Sequence, residues 1–206
     1  MLNLNTIPQD DQQNREFSLI PNGSVSRAVM VVKSGEIELP EFGHGQWFKK
    51  SQSSNAKWLE IEFTCLGGEF DRRKFWSKIF VDGDKIGKSG MPVAKEIGLR
   101  TLRSIIESAN NLNSNDMSDE AQQRRNISGV DDLNAMEICA KIGIKKGTNG
   151  YSDQNQLMAA MTPNQDGFIA SGQPIVHTTP SAQQYTQPQQ PAPAQVGSPV
   201  PSWASR

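Results

Sequence analysis

Cysteine is scarce in this 206-residue chain, which has only Cys65 and Cys139. Two thiols do not build a disulfide framework. Both stand in apolar alternating stretches, so they read as small buried core residues in a reducing compartment. Charge of one sign is not in excess either. Lysine and arginine total 21, aspartate and glutamate 22, and the formal charge is −1. The chain as a whole is therefore no cationic sponge, and a site for a polyanion must come from local segregation of charge. Long hydrophobic runs are missing: no stretch approaches the ~18 consecutive apolar residues of a membrane span. Residues 1–15 are polar, carry Asp10 and Asp11, and lack the basic and apolar regions of a secretion signal. These absences predict a soluble intracellular protein.

Catalytic and metal motifs are also lacking. His44, His177 and the two cysteines lie too far apart for a zinc site by spacing. The segment Asp82-Gly83-Asp84-Lys85-Ile86-Gly87-Lys88-Ser89 ends like a phosphate-binding loop. That motif requires glycine five positions before Gly87, where Asp82 stands. The segment reads instead as a turn, with Lys88 as a candidate phosphate contact. Asp82 with Asp84, or Asp131 with Asp132, offers adjacent acids, but no nucleophile, base or third ligand accompanies them. The expectation is a protein that catalyses no reaction and carries no metal or cofactor.

Composition divides the chain. From Pro163 to Arg206 there are eight prolines and eight glutamines, and only Asp166 and Arg206 are charged. Such a segment cannot bury enough apolar surface to offset the entropy of ordering. Residues 163–206 are therefore expected to be a disordered tail, with Trp203 as its one candidate anchor for a protein partner. Residues 1–16 read as a flexible arm, and residues 17–162 as the folded domain.

Within that domain, Pro21-Asn22-Gly23 is a turn and Val25 to Val32 a β-branched strand. Ala56 to Leu66 is a second strand, and Phe70 to Val81 a third across a Gly67–Glu69 turn. Met91 to Leu112 changes to helical spacing, with Ile97, Leu102, Ile105, Ile106, Ala109 and Leu112 on one side. Glu137 to Lys146 reads as a fourth strand, and Tyr151 to Thr162 contains a fifth. Three strands, a helix and two strands is the element order of a five-stranded Greek-key OB barrel. An antiparallel α+β sheet with one packed helix has the same order.

The segment from Phe70 to Val81 carries the chemistry. Alternate residues of a strand share a face. Arg72, Lys74, Trp76, Lys78 and Phe80 fall on one face, and the apolar set Phe75, Ile79 and Val81 on the other. Cations alternating with rings suit a single-stranded nucleic acid: cations neutralise phosphates and rings stack on unpaired bases. The second strand adds Trp58, with Lys57 beside it. In a hairpin with a three-residue turn, Glu62 sits opposite Lys74 and Glu60 opposite Trp76. Cross-strand ion pairs with these acids are then the competing reading of the basic face. A second cluster, Trp47-Phe48-Lys49-Lys50, occupies a loop before the second strand, and one of its two rings is expected to cap the core. A third group is Lys141, Lys145, Lys146 and Tyr151.

The residues Ile20-Pro21-Asn22-Gly23, Trp58-Leu59-Glu60-Ile61-Glu62-Phe63, Arg72-Arg73-Lys74-Phe75-Trp76, Thr101 to Ala109, Lys141-Ile142-Gly143-Ile144, Gly150-Tyr151 and Asn155 resemble a group of small bacteriophage and prophage proteins. These are similar to phage single-stranded DNA-binding proteins of the OB-fold class. The resemblance spans roughly residues 17–162, and its most specific motif is Arg72 to Trp76. It implies a role in phage DNA replication or recombination, self-association, and residence in the cytoplasm of the bacterial host. Many proteins of that class end in an acidic tail with a terminal aromatic that recruits replication proteins. Here the tail is neutral and ends Trp203-Ala204-Ser205-Arg206. Two other readings compete: an adaptor that binds proteins through the aromatic face and tail, and a metal-dependent DNA-processing enzyme.

Overall fold

The computed structural model describes residues 18–148 and 150–172. Its main body is one antiparallel sheet of six strands. The strands are β1 (Val25–Val32), β2 (Phe48–Lys50), β3 (Lys57–Leu66), β4 (Lys74–Asp82), β5 (Glu137–Lys145) and β6 (Gln154–Met161). Two helices accompany them, α1 (Val93–Ala109) and α2 (Asp119–Arg125). The hydrogen-bonded path runs β2-β3-β1-β5-β6, with β4 on the far edge of β3. Six strands form where the sequence reading gave five. The sheet is open, because no ladder joins β4 to β6 among the described residues. The two edge strands nevertheless come close, with Cα atoms within 8 Å.

Alternation explains which face turns inward. Leu59, Ile61, Phe63 and Cys65 of β3 are fully buried, as are Ala28 and Met30 of β1 and Ile138, Ala140 and Ile142 of β5. A run of alternating apolar and polar residues buries one side of a pleated strand and leaves the other at the surface. α1 contributes Leu102, Ile105 and Ile106 to the same core. Ile97, expected on the buried stripe, is instead 58% exposed. Its neighbour Gly98 makes the contact: a Cβ there would stand 1.8 Å from the Phe80 carbonyl oxygen. Only glycine allows the helix to lie this close to β4.

Several boundaries differ from the sequence reading. The third predicted strand begins at Lys74, because Gly68–Phe70 forms a 3₁₀ turn and Arg72 adopts φ 62°. This longer connection shifts the β3–β4 register by two residues, which preserves the faces. Glu62 is opposite Trp76, Glu60 opposite Lys78 and Trp58 opposite Phe80. β2 and α2 were not foreseen. α2 starts at Ser118, whose hydroxyl accepts from Ala121 N–H as an N-cap. Its Arg125 joins Arg103 on the buried carboxylate of Glu107, at 2.7 and 2.8 Å.

The start of the expected tail is part of the body. Ile169 N–H donates to Cys139 Sγ, and the Ser171 hydroxyl donates to the Ala109 carbonyl at 2.7 Å. Trp203 and residues 1–16 lie outside the described residues. No helix among the described residues is long and apolar enough to cross a membrane.

Candidate nucleic-acid interface

The outward face of β3 and β4, with the flanking ends of β1 and β2, gathers most of the residues singled out in the sequence. Three rings and four ammonium groups meet there. Trp58 lies beside Phe80, with ring centroids 5.8 Å apart and planes at 49°. Trp76 is 49% exposed and Phe80 40%. A half-exposed tryptophan on a sheet surface forgoes burial that would stabilise the fold.

The cations are arranged around the acids. Glu62 takes Lys74 Nζ at 2.6 Å and Lys33 Nζ at 3.0 Å. The Lys74 contact is a diagonal cross-strand pair, since Thr64 is directly opposite Lys74. These two ammonium groups hold the Glu62 carboxyl at about 2, against an ordinary value of 4.5, Lys74 being the larger cause. Glu60 pairs with Lys49. Lys78 faces Glu60 across the ladder yet makes no ion pair among the described residues; its ammonium sits 4.7 Å from the Trp58 centroid. The face thus holds Lys33, Lys49, Lys74 and Lys78 against Glu60 and Glu62, an excess of two positive charges.

The remaining predicted residues fall at its two ends or elsewhere. Phe48 is removed from the interface. It is 1% exposed, in the core against Phe42. Of the two rings in the Trp47–Lys50 loop, it is Phe48 that enters the core, while Trp47 packs on the core's margin and donates its indole N–H to the His44 carbonyl at 3.0 Å. Lys50 is exposed at the end of β2. Lys57 is engaged by Asp82 at 2.7 Å, which lowers the Asp82 carboxyl below its ordinary range. Lys88 is exposed in the loop before α1.

At the other end, Arg72 stands outside the alternating row. Its left-handed backbone lifts it into solvent, 3.6 Å from Asp71. Lys145 ends β5, and Lys146 just after it pairs with Asp153 at 2.6 Å. Tyr151 is exposed in the following turn, whereas Lys141 lies mid-strand on the outer face of β5. A cleft of about 930 Å³ joins this turn to β4, lined by Arg72, Arg73, Lys74, Trp76, Asp153 and Gln154. Lys146 and Arg72 are thereby brought to the Trp76 end of the face.

Sequence reasoning missed Lys33 and Arg73. Lys33 follows β1 directly, and the alternation of that strand would have placed it outward beside Glu62. Arg73 donates to the Ser18 carbonyl, a contact over 55 residues of sequence that no local pattern encodes. Three of the four acids weighed as metal ligands, Asp82, Asp84 and Asp132, have partners, that of Asp82 being Lys57. Asp84 accepts from the Asn55 side chain at 2.7 Å, and Asp132 from Ser128 N–H at 2.6 Å. No group of three potential metal ligands occurs among the described residues. No protein-family model matches the chain, and no curated protein matches it.

Proposed function

We propose that this protein binds single-stranded DNA with little sequence preference, through the outward face of β3 and β4. One observation carries the reading: Trp58, Trp76 and Phe80 share a strip with four lysines that outnumber its two glutamates. These rings offer a π-face to any base, worth ~1–3 kcal/mol per base. The surplus ammonium groups replace counterions along the phosphates. Lys49 and Lys50 extend the path at one end, and Arg72, Lys146 and Tyr151 at the other. The protein acts by occupying the strand and performs no chemistry on it.

The architecture is read as OB-like. β3 and β4 are successive antiparallel strands, α1 follows them, and the edge of β4 lies close to that of β6. The choice of DNA, and a role in phage replication or recombination, come from the resemblance carried by Arg72 to Trp76. Titration with oligo-dT, followed by tryptophan fluorescence, tests the reading. Quenching is expected at low salt, with affinity falling steeply between about 50 and 200 mM salt. Absence of any low-salt binding contradicts it.

A further inference from the structure

The cleft beside Trp76 lies where the described chain begins. Leu19 is part of its wall, and Arg73 holds the carbonyl of Ser18 at its edge. The preceding seventeen residues carry three acids, Asp10, Asp11 and Glu16, and one base, Arg15. The cleft wall carries the consecutive cations Arg72, Arg73 and Lys74. Its acids are already engaged: Asp153 by Lys146, Glu60 by Lys49, and Asp71 by Gly67 N–H and Arg72. Among the described residues Arg73 has no carboxylate partner, and Arg72 has only the 3.6 Å contact to Asp71.

Reach is not limiting. An extended chain advances at most about 3.3–3.6 Å per residue, so Asp11, seven residues before Ser18, can lie anywhere within roughly 25 Å of it. Tethering at Ser18 also makes the encounter intramolecular, at an effective concentration near the millimolar range. A weak charge-complementary contact is then enough for substantial occupancy.

We propose that residues 1–17 dock in this cleft and compete with nucleic acid for Lys74 and Trp76. The occupant is this chain's own acidic segment, seated on Arg72 and Arg73 next to the aromatic face. Docking stands on the cleft alone; its consequence for DNA rests on the function proposed above. A single strand approaching Trp76 meets the acids first, by like-charge repulsion, and must displace them to reach the ring.

The test has two arms. In the first, a fluorescein-labelled peptide of residues 1–17 is titrated with protein lacking residues 1–16 and followed by anisotropy at low salt. Saturable binding is expected, weakened about fivefold or more by Arg72→Glu, a substitution at an exposed side chain, with the thermal midpoint as the folding control. Non-saturable binding, or binding indifferent to Arg72→Glu, overturns docking. In the second arm, oligo-dT affinity is compared among the full chain, the truncated chain and the full chain with Asp10→Asn, Asp11→Asn and Glu16→Gln. Both altered chains are expected to bind about fivefold or more tightly than the full chain, a coupling of ordinary size. Equal affinities overturn competition. If no form binds oligo-dT, the DNA reading and competition fall together, while the first arm still decides docking.

Discussion

The ammonium of Lys78 rests 4.7 Å from the centroid of the Trp58 ring, although Glu60 is its partner across the ladder. Glu60 is taken by Lys49, so Lys78 finds the π-face instead. A phosphate competes better than a ring for an ammonium group, and the ring is then left for a base. Lys78→Ala is therefore expected to lower the slope of log affinity against log salt by about one. Oligo-dT titrations at several salt concentrations measure it; an unchanged slope places Lys78 off the phosphate path.

Glu62 draws on two cations at once, Lys33 and Lys74. Bound phosphates must compete with it for both. Glu62→Gln is expected to tighten oligo-dT binding several-fold at low salt and to steepen its salt dependence, because two ammonium groups are released. Weaker binding by this variant would show that Glu62 positions the lysines for the ligand.

The same carboxylate makes stability depend on pH. Its folded value, about 2, lies below the ordinary 4.5. A lowered folded value favours the native state wherever the unfolded carboxyl is ionised. The contribution is complete above 4.5 and is lost as pH falls towards 2. Asp82, held low by Lys57, acts in the same direction. Urea midpoints between pH 6 and pH 3 are expected to fall less steeply for Glu62→Gln than for the natural chain. Equal slopes would remove Glu62 from the acid sensitivity.

Phe48 and Trp76 separate core from interface. Phe48→Ala opens a cavity in a packed core and should cost about 3–5 kcal/mol of stability. Gly98→Val, which drives a side chain into the Phe80 carbonyl, should cost about 1–3 kcal/mol by overpacking. Trp76→Ala, which removes a ring already half in solvent, should lower the urea midpoint less than Phe48→Ala does. Chemical denaturation of the three variants checks the contrast.

Much of this arrangement was legible in the sequence. The strand Val25–Val32 was read with its observed limits, and the outward placement of Trp58, Lys74, Trp76, Lys78 and Phe80 followed from period-two alternation. What escaped depends on contacts distant in sequence or on turn geometry. The 3₁₀ turn at Gly68–Phe70 moved the register by two, which local propensity does not determine. β2 is only three residues long and is specified by its pairing with Leu59 and Trp58. Phe48 and Trp47 are adjacent rings, and nothing local states which one turns inward. The segment 163–172 has a tail's composition, yet hydrogen bonds to Cys139, Ala109, Asn111 and Glu137 hold it to the domain.

The most direct test of the central claim is oligo-dT affinity of the double variant Trp58→Ala, Trp76→Ala beside the natural chain at low salt, with urea midpoints as the folding control. Stacking predicts a loss of ~1–3 kcal/mol for each ring placed on a base, with the protein still folded. Unchanged affinity in a folded double variant would contradict the account and move the site away from the face of β3 and β4.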